Sequence, residues 1–307
     1  MARILAVVLA ALVLGSCGGG GGDGEDAGGP RVVAAERSGA RVVDLTIDSP
    51  AVGRKVGARL LLPRDYAREP ERRWPVLYLL HGCCDSHLSW TRSTDVERLS
   101  ARDDVLVVMP EGGRVGFYSD WRRGPAWERF HLRELRQILE QRYRAGGRGA
   151  VAGLSMGGMG AMTYAARHPD FFRAAAAFSG LLHTRLDSGT VSGLLQVEGE
   201  DSADLWGDPG AKRWAAHNPY DLAGRLRGTR LFVSSGTGSP GPLDPSGASG
   251  DRIEPIVLRE SAAFVARLRR LEIPARVDLY GPGTHTWPYW QRELHRSWPL
   301  LMGAIGA

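Results

Sequence analysis

Lysine is nearly missing from this 307-residue chain: only Lys55 and Lys212 occur, so the formal net charge of +5 is carried almost wholly by arginine. The arginines are scattered, apart from short groups such as Arg72-Arg73 and Arg269-Arg270. A nucleic-acid-binding face needs basic residues concentrated in a stripe, so this scatter reads as a solvated surface and nucleic acid is not an expected partner. Cysteine is as scarce: Cys17, Cys83 and Cys84 are the only three. With the last two adjacent, no long-range disulfide can form within the domain that follows Cys17. The eight histidines show no metal-ligand spacing, and no His-Glu-x-x-His occurs, so neither a metal nor a cofactor is expected. No internal repeat is visible. What remains is 43% hydrophobic and 24% charged, the balance of a globular domain long enough to bury a large core.

The N-terminus reads as an export signal. Arg3 supplies a positive start, and Ile4 to Leu14 form an apolar segment too short to span a bilayer. It ends in Leu14-Gly15-Ser16-Cys17, which resembles the lipobox of bacterial lipoproteins and implies that Cys17 is lipidated as the first mature residue. The alternative is a plain secretory signal in which Cys17 is incidental. Gly18 to Pro30 are mostly glycine with three acids, a composition that buries no core and serves as a tether. The division is therefore residues 1–16 signal, 17–30 tether and 31–307 one folded domain. Export implies an oxidising compartment, which leaves two states open to Cys83 and Cys84: a vicinal disulfide or two free thiols.

Strand and helix patterns alternate along the domain. Residues Arg31 to Pro63 are rich in alternating valine and leucine and predict two or three antiparallel strands at a sheet edge. Trp74 to Leu80 and Val105 to Met109 are continuous apolar runs, as expected of strands covered on both faces. A helix is expected between them, over Ser93 to Arg102. Leu132, Leu135, Ile138, Leu139 and Tyr143 place a helical stripe on Trp127 to Tyr143. Further strands are expected at Gly149 to Ala152, Arg173 to Ser179, Thr229 to Ser235 and Pro274 to Tyr280. Helices are expected over Met159 to Arg167, Glu254 to Leu271 and after His285. Leu181 to Arg227 lack a period and suggest short helices capping one end of the sheet. This alternation predicts a mostly parallel, doubly wound α/β sheet with helices on both faces, in a single domain.

Gly153-Leu154-Ser155-Met156-Gly157 is Gly-x-Ser-x-Gly, set between an expected strand and an expected helix. That context is what a nucleophile elbow needs, because the serine must sit on a strained turn above the sheet. A serine hydroxyl is a poor nucleophile at neutral pH and requires a base, which in turn is held by a third group. An elbow in such a sheet predicts an α/β-hydrolase fold, in which the chain order is serine, acid, histidine, with the histidine in the loop after the last strand. His285 alone meets that condition; His295 falls in the closing helix and reads as a surface or packing residue. The acid should lie beyond the strand Thr229 to Ser235, which leaves Asp244, Asp251, Glu254 and Glu260. Asp251 has a structural role available as a helix cap, with Glu254 completing a capping box. The elbow also implies that the amide of Met156 is one oxyanion donor, with a second from the loop after the strand Trp74 to Leu80.

Four segments together carry a family resemblance: the elbow, Leu79-Leu80-His81-Gly82, Phe117-Tyr118-Ser119-Asp120-Trp121, and Gly283-Thr284-His285-Thr286-Trp287-Pro288-Tyr289-Trp290. The chain resembles the secreted esterases that include the actinobacterial mycolyltransferases and the S-formylglutathione hydrolases, from Val43 to Leu301. In the mycolyltransferases the acid is a glutamate preceding a Leu-Arg pair at a helix start. That position corresponds to Glu254, with Leu258-Arg259 and Phe264 in register. The resemblance likewise implies Cys83 as the second oxyanion donor, through its amide. Trp90 and Trp287 are expected to wall the acyl site. The chain departs from the mycolyltransferases at His81 and Cys84, where they carry an aspartate and an arginine, and in a shorter stretch after Trp121. Those departures weigh against trehalose mycolylation and leave ester hydrolysis untouched.

Three functions follow as expectations. The first is a serine carboxylesterase on the outer face of the cell membrane, working through Ser155, His285 and Glu254 on a small-molecule or lipid ester. The second is an acyltransferase with the same residues, passing the acyl group to a sugar or lipid alcohol. The third is a surface binding or adhesion protein that has kept the fold, against which an intact catalytic set argues.

Overall fold

The computed structural model describes residues 28–307, so Cys17 and most of the predicted tether lie outside the described residues. Among the described residues nine strands form one sheet: β1 (Arg31–Ser38), β2 (Val42–Ser49), β3 (Arg54–Leu61), β4 (Trp74–Leu80), β5 (Leu106–Pro110), β6 (Ala145–Leu154), β7 (Phe172–Phe178), β8 (Arg230–Ser235) and β9 (Arg276–Leu279). Their spatial order is β1-β2-β3-β5-β4-β6-β7-β8-β9. β1, β2, β3 and β5 pair antiparallel. From β5 across to β9 every pairing is parallel. The longer helices are α1 (Arg136–Arg142), α2 (Met156–Arg167), α3 (Ser188–Val197), α4 (Glu254–Arg270) and α5 (Trp287–Ile305).

All seven residues of β4 are buried, because the sheet is covered on both sides. Successive side chains of a strand point to opposite faces, and here they enter two separate cores. Val76, Tyr78 and Leu80 join α2 and α4 through Met159, Met162, Val257 and Phe264. Leu77 and Leu79 join α5 through Trp290, Leu294 and Leu301, together with Trp90 and Val96. β7, third from the β9 edge of the sheet, is mostly alanine, and this smooth surface accepts helices on either side.

The sequence reading and the structure differ in two helices. The helix expected over Ser93 to Arg102 is two short ones, Ser89–Ser93 and Val96–Ser100. Thr94 breaks the run: its hydroxyl donates to Trp90 O at 2.6 Å and accepts from the Val96 amide at 3.3 Å, so side-chain bonds replace the helical ladder. Between Trp127 and Tyr143 the helix contains a π-helical stretch, Phe130–Leu135. That wider turn carries two buried polar side chains with partners on different elements. His131 bonds Tyr164 and the Glu111 carbonyl, while Glu134 accepts from Ser49 and the Ala51 amide.

Candidate active site

The parallel strands end on one side of the sheet, where side chains from several strand ends can meet. Ser155 follows β6 and directly precedes α2, with φ 53° and ψ −120°, the left-handed backbone of a strained turn. Its amide donates to Phe178 O at 2.9 Å. The glycines around it are close-approach positions: a Cβ at Gly153 would overlap the Gly157 carbonyl, and one at Gly157 would overlap the carbonyl oxygens of Leu80 and His81. Only hydrogen at these positions lets α2 start this close to β4. Met156, as the first residue of α2, has an amide with no carbonyl partner inside the helix.

His285 lies in the loop after β9, and its Nδ1 is 2.7 Å from Glu254 Oε2. A carboxylate can only accept, so the proton sits on Nδ1 and Nε2 is left as an acceptor. Glu254 opens α4 and is fully buried. Its Oε1 accepts from Ser179 Oγ at 2.8 Å, Ser235 Oγ at 2.9 Å and the Gly236 amide at 2.6 Å. Four donors therefore surround one carboxylate, which is what makes its burial tolerable. Ser155 and His285 line the same pocket, with no hydrogen bond between them among the described residues. Catalytic serine–histidine contacts often tighten only when substrate is bound.

The other three acids are engaged elsewhere. Asp251 Oδ1 accepts from the amides of Ile253 and Glu254, both at 2.6 Å, and so caps α4. Its Oδ2 lies 3.4 Å from the amide of His285, which ties that loop to the helix start. Glu254 does not close the capping box that the sequence allowed. Asp244 binds the Thr284 hydroxyl, the Tyr289 hydroxyl and the Gly241 amide. Burial works against ionisation there, but these donors hold its carboxyl below the usual range. Glu260 accepts from the His183 amide at 3.0 Å, and burial raises its pKa to about 7.

Cys83 lines the pocket and is joined to Cys84 by a disulfide, the first of the two states open to this pair. Its loop is held from both sides. Tyr118 donates to His81 O at 2.8 Å, and the Cys84 amide donates to Arg114 O at 2.7 Å. Neither His81 nor Cys84 lines the pocket: His81 is fully buried, accepting from the Gly112 amide at Nε2.

Trp287 lines the pocket, as does Trp290, which the sequence reading did not single out. Trp90 is a correction: it is fully buried behind Trp287, ring centroids 5.3 Å apart, and backs the wall without forming it. Also missed were Ser179, Ser235 and Gly236. Their signal was positional, since Ser179 directly follows β7 and Ser235 ends β8, at the carboxyl ends where this fold places ligands.

The sheet order, the strand–turn–helix at Ser155 and the loop position of His285 define an α/β-hydrolase fold. The chain belongs to the esterase family: its family model, described as "Putative esterase", matches residues 49–301. Esterase Rv1288 of Mycobacterium tuberculosis (strain H37Rv) is 34% identical over 267 residues, covering 81% of this chain and 57% of that protein. The chain thus spans little more than half of that relative's length. Diacylglycerol acyltransferase/mycolyltransferase Ag85A of the same organism is 32% identical over 322 residues, with 99% of this chain and 91% of that protein covered. Among solved structures, Mycobacterium tuberculosis MPT51 (FbpC1) superposes with a TM-score of 0.73 at 28% identity, covering 87% of this chain and 99% of that one.

Proposed function

We propose that this protein is an exported serine carboxylic-ester hydrolase that works through a covalent acyl-enzyme. The observation that carries it is the 2.7 Å bond between His285 Nδ1 and buried Glu254, in the pocket that also holds Ser155. Ser155 Oγ attacks the ester carbonyl while His285 Nε2 takes its proton. Glu254 fixes the tautomer and balances the imidazolium that forms. The oxyanion receives the amides of Met156 and Cys83, so the disulfide sulfur of Cys83 takes no part in the chemistry. As the tetrahedral intermediate collapses, His285 returns the proton to the leaving alcohol. A water, deprotonated by the same nitrogen, then frees the acid from Ser155. The domain would act outside the cell, held at the membrane through lipidated Cys17.

A second reading keeps the acyl-enzyme and replaces water with a sugar or lipid alcohol. It is favoured by the coverage and identity of the relative named as an acyltransferase. One experiment tests both: acid-quench the reaction on a p-nitrophenyl ester and identify the acylated peptide by mass, with and without trehalose. The hydrolase reading expects acyl-Ser155 and free acid in both conditions, and neither with Ser155→Ala. Acyl-trehalose as the main product establishes transfer; turnover that survives Ser155→Ala overturns both readings.

A further inference from the structure

The pocket above Ser155 has a volume of about 370 Å³. Beyond Ser155 and His285 its surface is mainly apolar, formed by Leu181, Leu194, Ile253 and the two tryptophans Trp287 and Trp290. No arginine or lysine lines it, and its one carboxylate, Asp85, is engaged by Arg92 at 2.7 Å. An acyl group with a charged end would find no counter-ion here. With water-sized groups taking ~30 Å³ each, such a volume holds on the order of a dozen non-hydrogen atoms.

The outer wall is α3, an element whose sequence gave no periodic signal. Thr190 and Leu194 sit one helical turn apart and both line the pocket. Val191 and Leu195 are buried in the core, and Val197 at the helix end is 80% exposed. The helix is therefore anchored by one pair of residues and faces the acyl site with another.

We propose that this pocket is an acyl site for uncharged chains of medium length, roughly four to ten carbons, and that Leu194 and Thr190 set the upper limit. The proposal rests on the esterase reading above. Each methylene buried against these walls adds about four-fold to kcat/KM. A longer chain meets Leu194 and Thr190 and cannot be seated without displacing α3, which lowers kcat/KM.

The test is kcat/KM of the purified protein on p-nitrophenyl acetate, butyrate, octanoate and palmitate in one micelle composition. The expected order is acetate below butyrate below octanoate, with the optimum at octanoate and palmitate about 10-fold or more below it. Leu194→Trp should cut the octanoate-to-acetate ratio about 10-fold, and Leu194→Ala should move the optimum towards palmitate. Leu194 is only partly buried, so both variants should fold. Val197→Ser, on the exposed end of the same helix, should keep the wild-type profile. A profile that stays flat to palmitate, or is unmoved by both Leu194 variants, overturns the proposal. So does a Val197→Ser profile that shifts as much as theirs. Hydrolysis of no ester in the series, or activity remaining in Ser155→Ala, defeats instead the esterase reading on which the proposal stands.

Discussion

Trp290 donates its indole N–H to Ser179 Oγ at 3.1 Å, across 111 residues of chain. Ser179 in turn gives its one proton to Glu254 Oε1 at 2.8 Å. An indole can only donate, so the serine oxygen is occupied from behind and its hydrogen is committed to the carboxylate. The Trp290 ring also stands edge-to-face against His285, centroids 4.9 Å apart at 88°. One tryptophan thus steadies both members of the His285–Glu254 pair.

Ser179→Ala should therefore act on stability and turnover together. It leaves the Trp290 N–H and one site on Glu254 without a partner, a loss of about 1–3 kcal/mol in urea unfolding. Ester turnover should fall through kcat, with KM nearly constant, because no substrate contact is removed. A rise in KM with kcat intact would place Ser179 in the binding surface instead.

Glu254→Gln keeps the volume and removes the charge that orients His285. By analogy with other serine triads, kcat should drop by about 10⁴. Asp251→Ala loses the cap of α4 and should cost about 1 kcal/mol of stability, with a far smaller effect on rate. Steady-state kinetics and thermal melts on the two variants separate the roles; the reverse ranking would make Asp251 the working acid.

Glu260 supplies a pH signature. Burial raises its folded-state pKa to about 7, above the ordinary carboxyl range near 4.3 for an unfolded chain. The folded form thus holds a proton that the unfolded form releases, so stability from this group is complete below that ordinary range. It is lost as pH climbs to about 7. Glu260→Gln should raise Tm at pH 8 and change it little at pH 4. An equal shift at both values would deny that the titration matters.

Membrane attachment has its own check. Cys17→Ser should move the protein from the membrane fraction to the soluble exported fraction. An unaltered distribution counts against the lipid anchor.

The strands were legible to within one or two residues at most ends, because burial on both faces writes a continuous apolar run that few other elements share. The placement of His285 in the pocket could be expected from chain order alone. Which acid would be its partner could not: four acids followed the right strand, and only a neighbouring Leu258-Arg259 pair with a family resemblance pointed to Glu254, which the structure bonds to His285. What stayed hidden was anything that depends on depth or on distant partners. Trp90 and Trp290 look alike in sequence, yet one backs the wall and the other forms it. Ser179 is one serine among many until the fold sets it between Trp290 and Glu254. Short helices were expected over Leu181 to Arg227, but the position of α3 within them was not legible, since its two faces serve a core and a pocket and neither imposes a strict period.

Gly157 has the widest consequence. Backbone meets backbone there, with the start of α2 resting on the carbonyls of Leu80 and His81. The two amides proposed to hold the oxyanion, Met156 and Cys83, flank that contact on either side. The gap between them is a fixed gauge, which no rotamer can widen or narrow. All esters present the same carbonyl, so a fixed gauge suits every one of them. In the proposed roles, fitting a different acyl chain falls to the side chains of α3, which can be changed without moving this gauge. Trp290, which lines the pocket and also packs on His285, instead ties the acyl wall to the reacting pair.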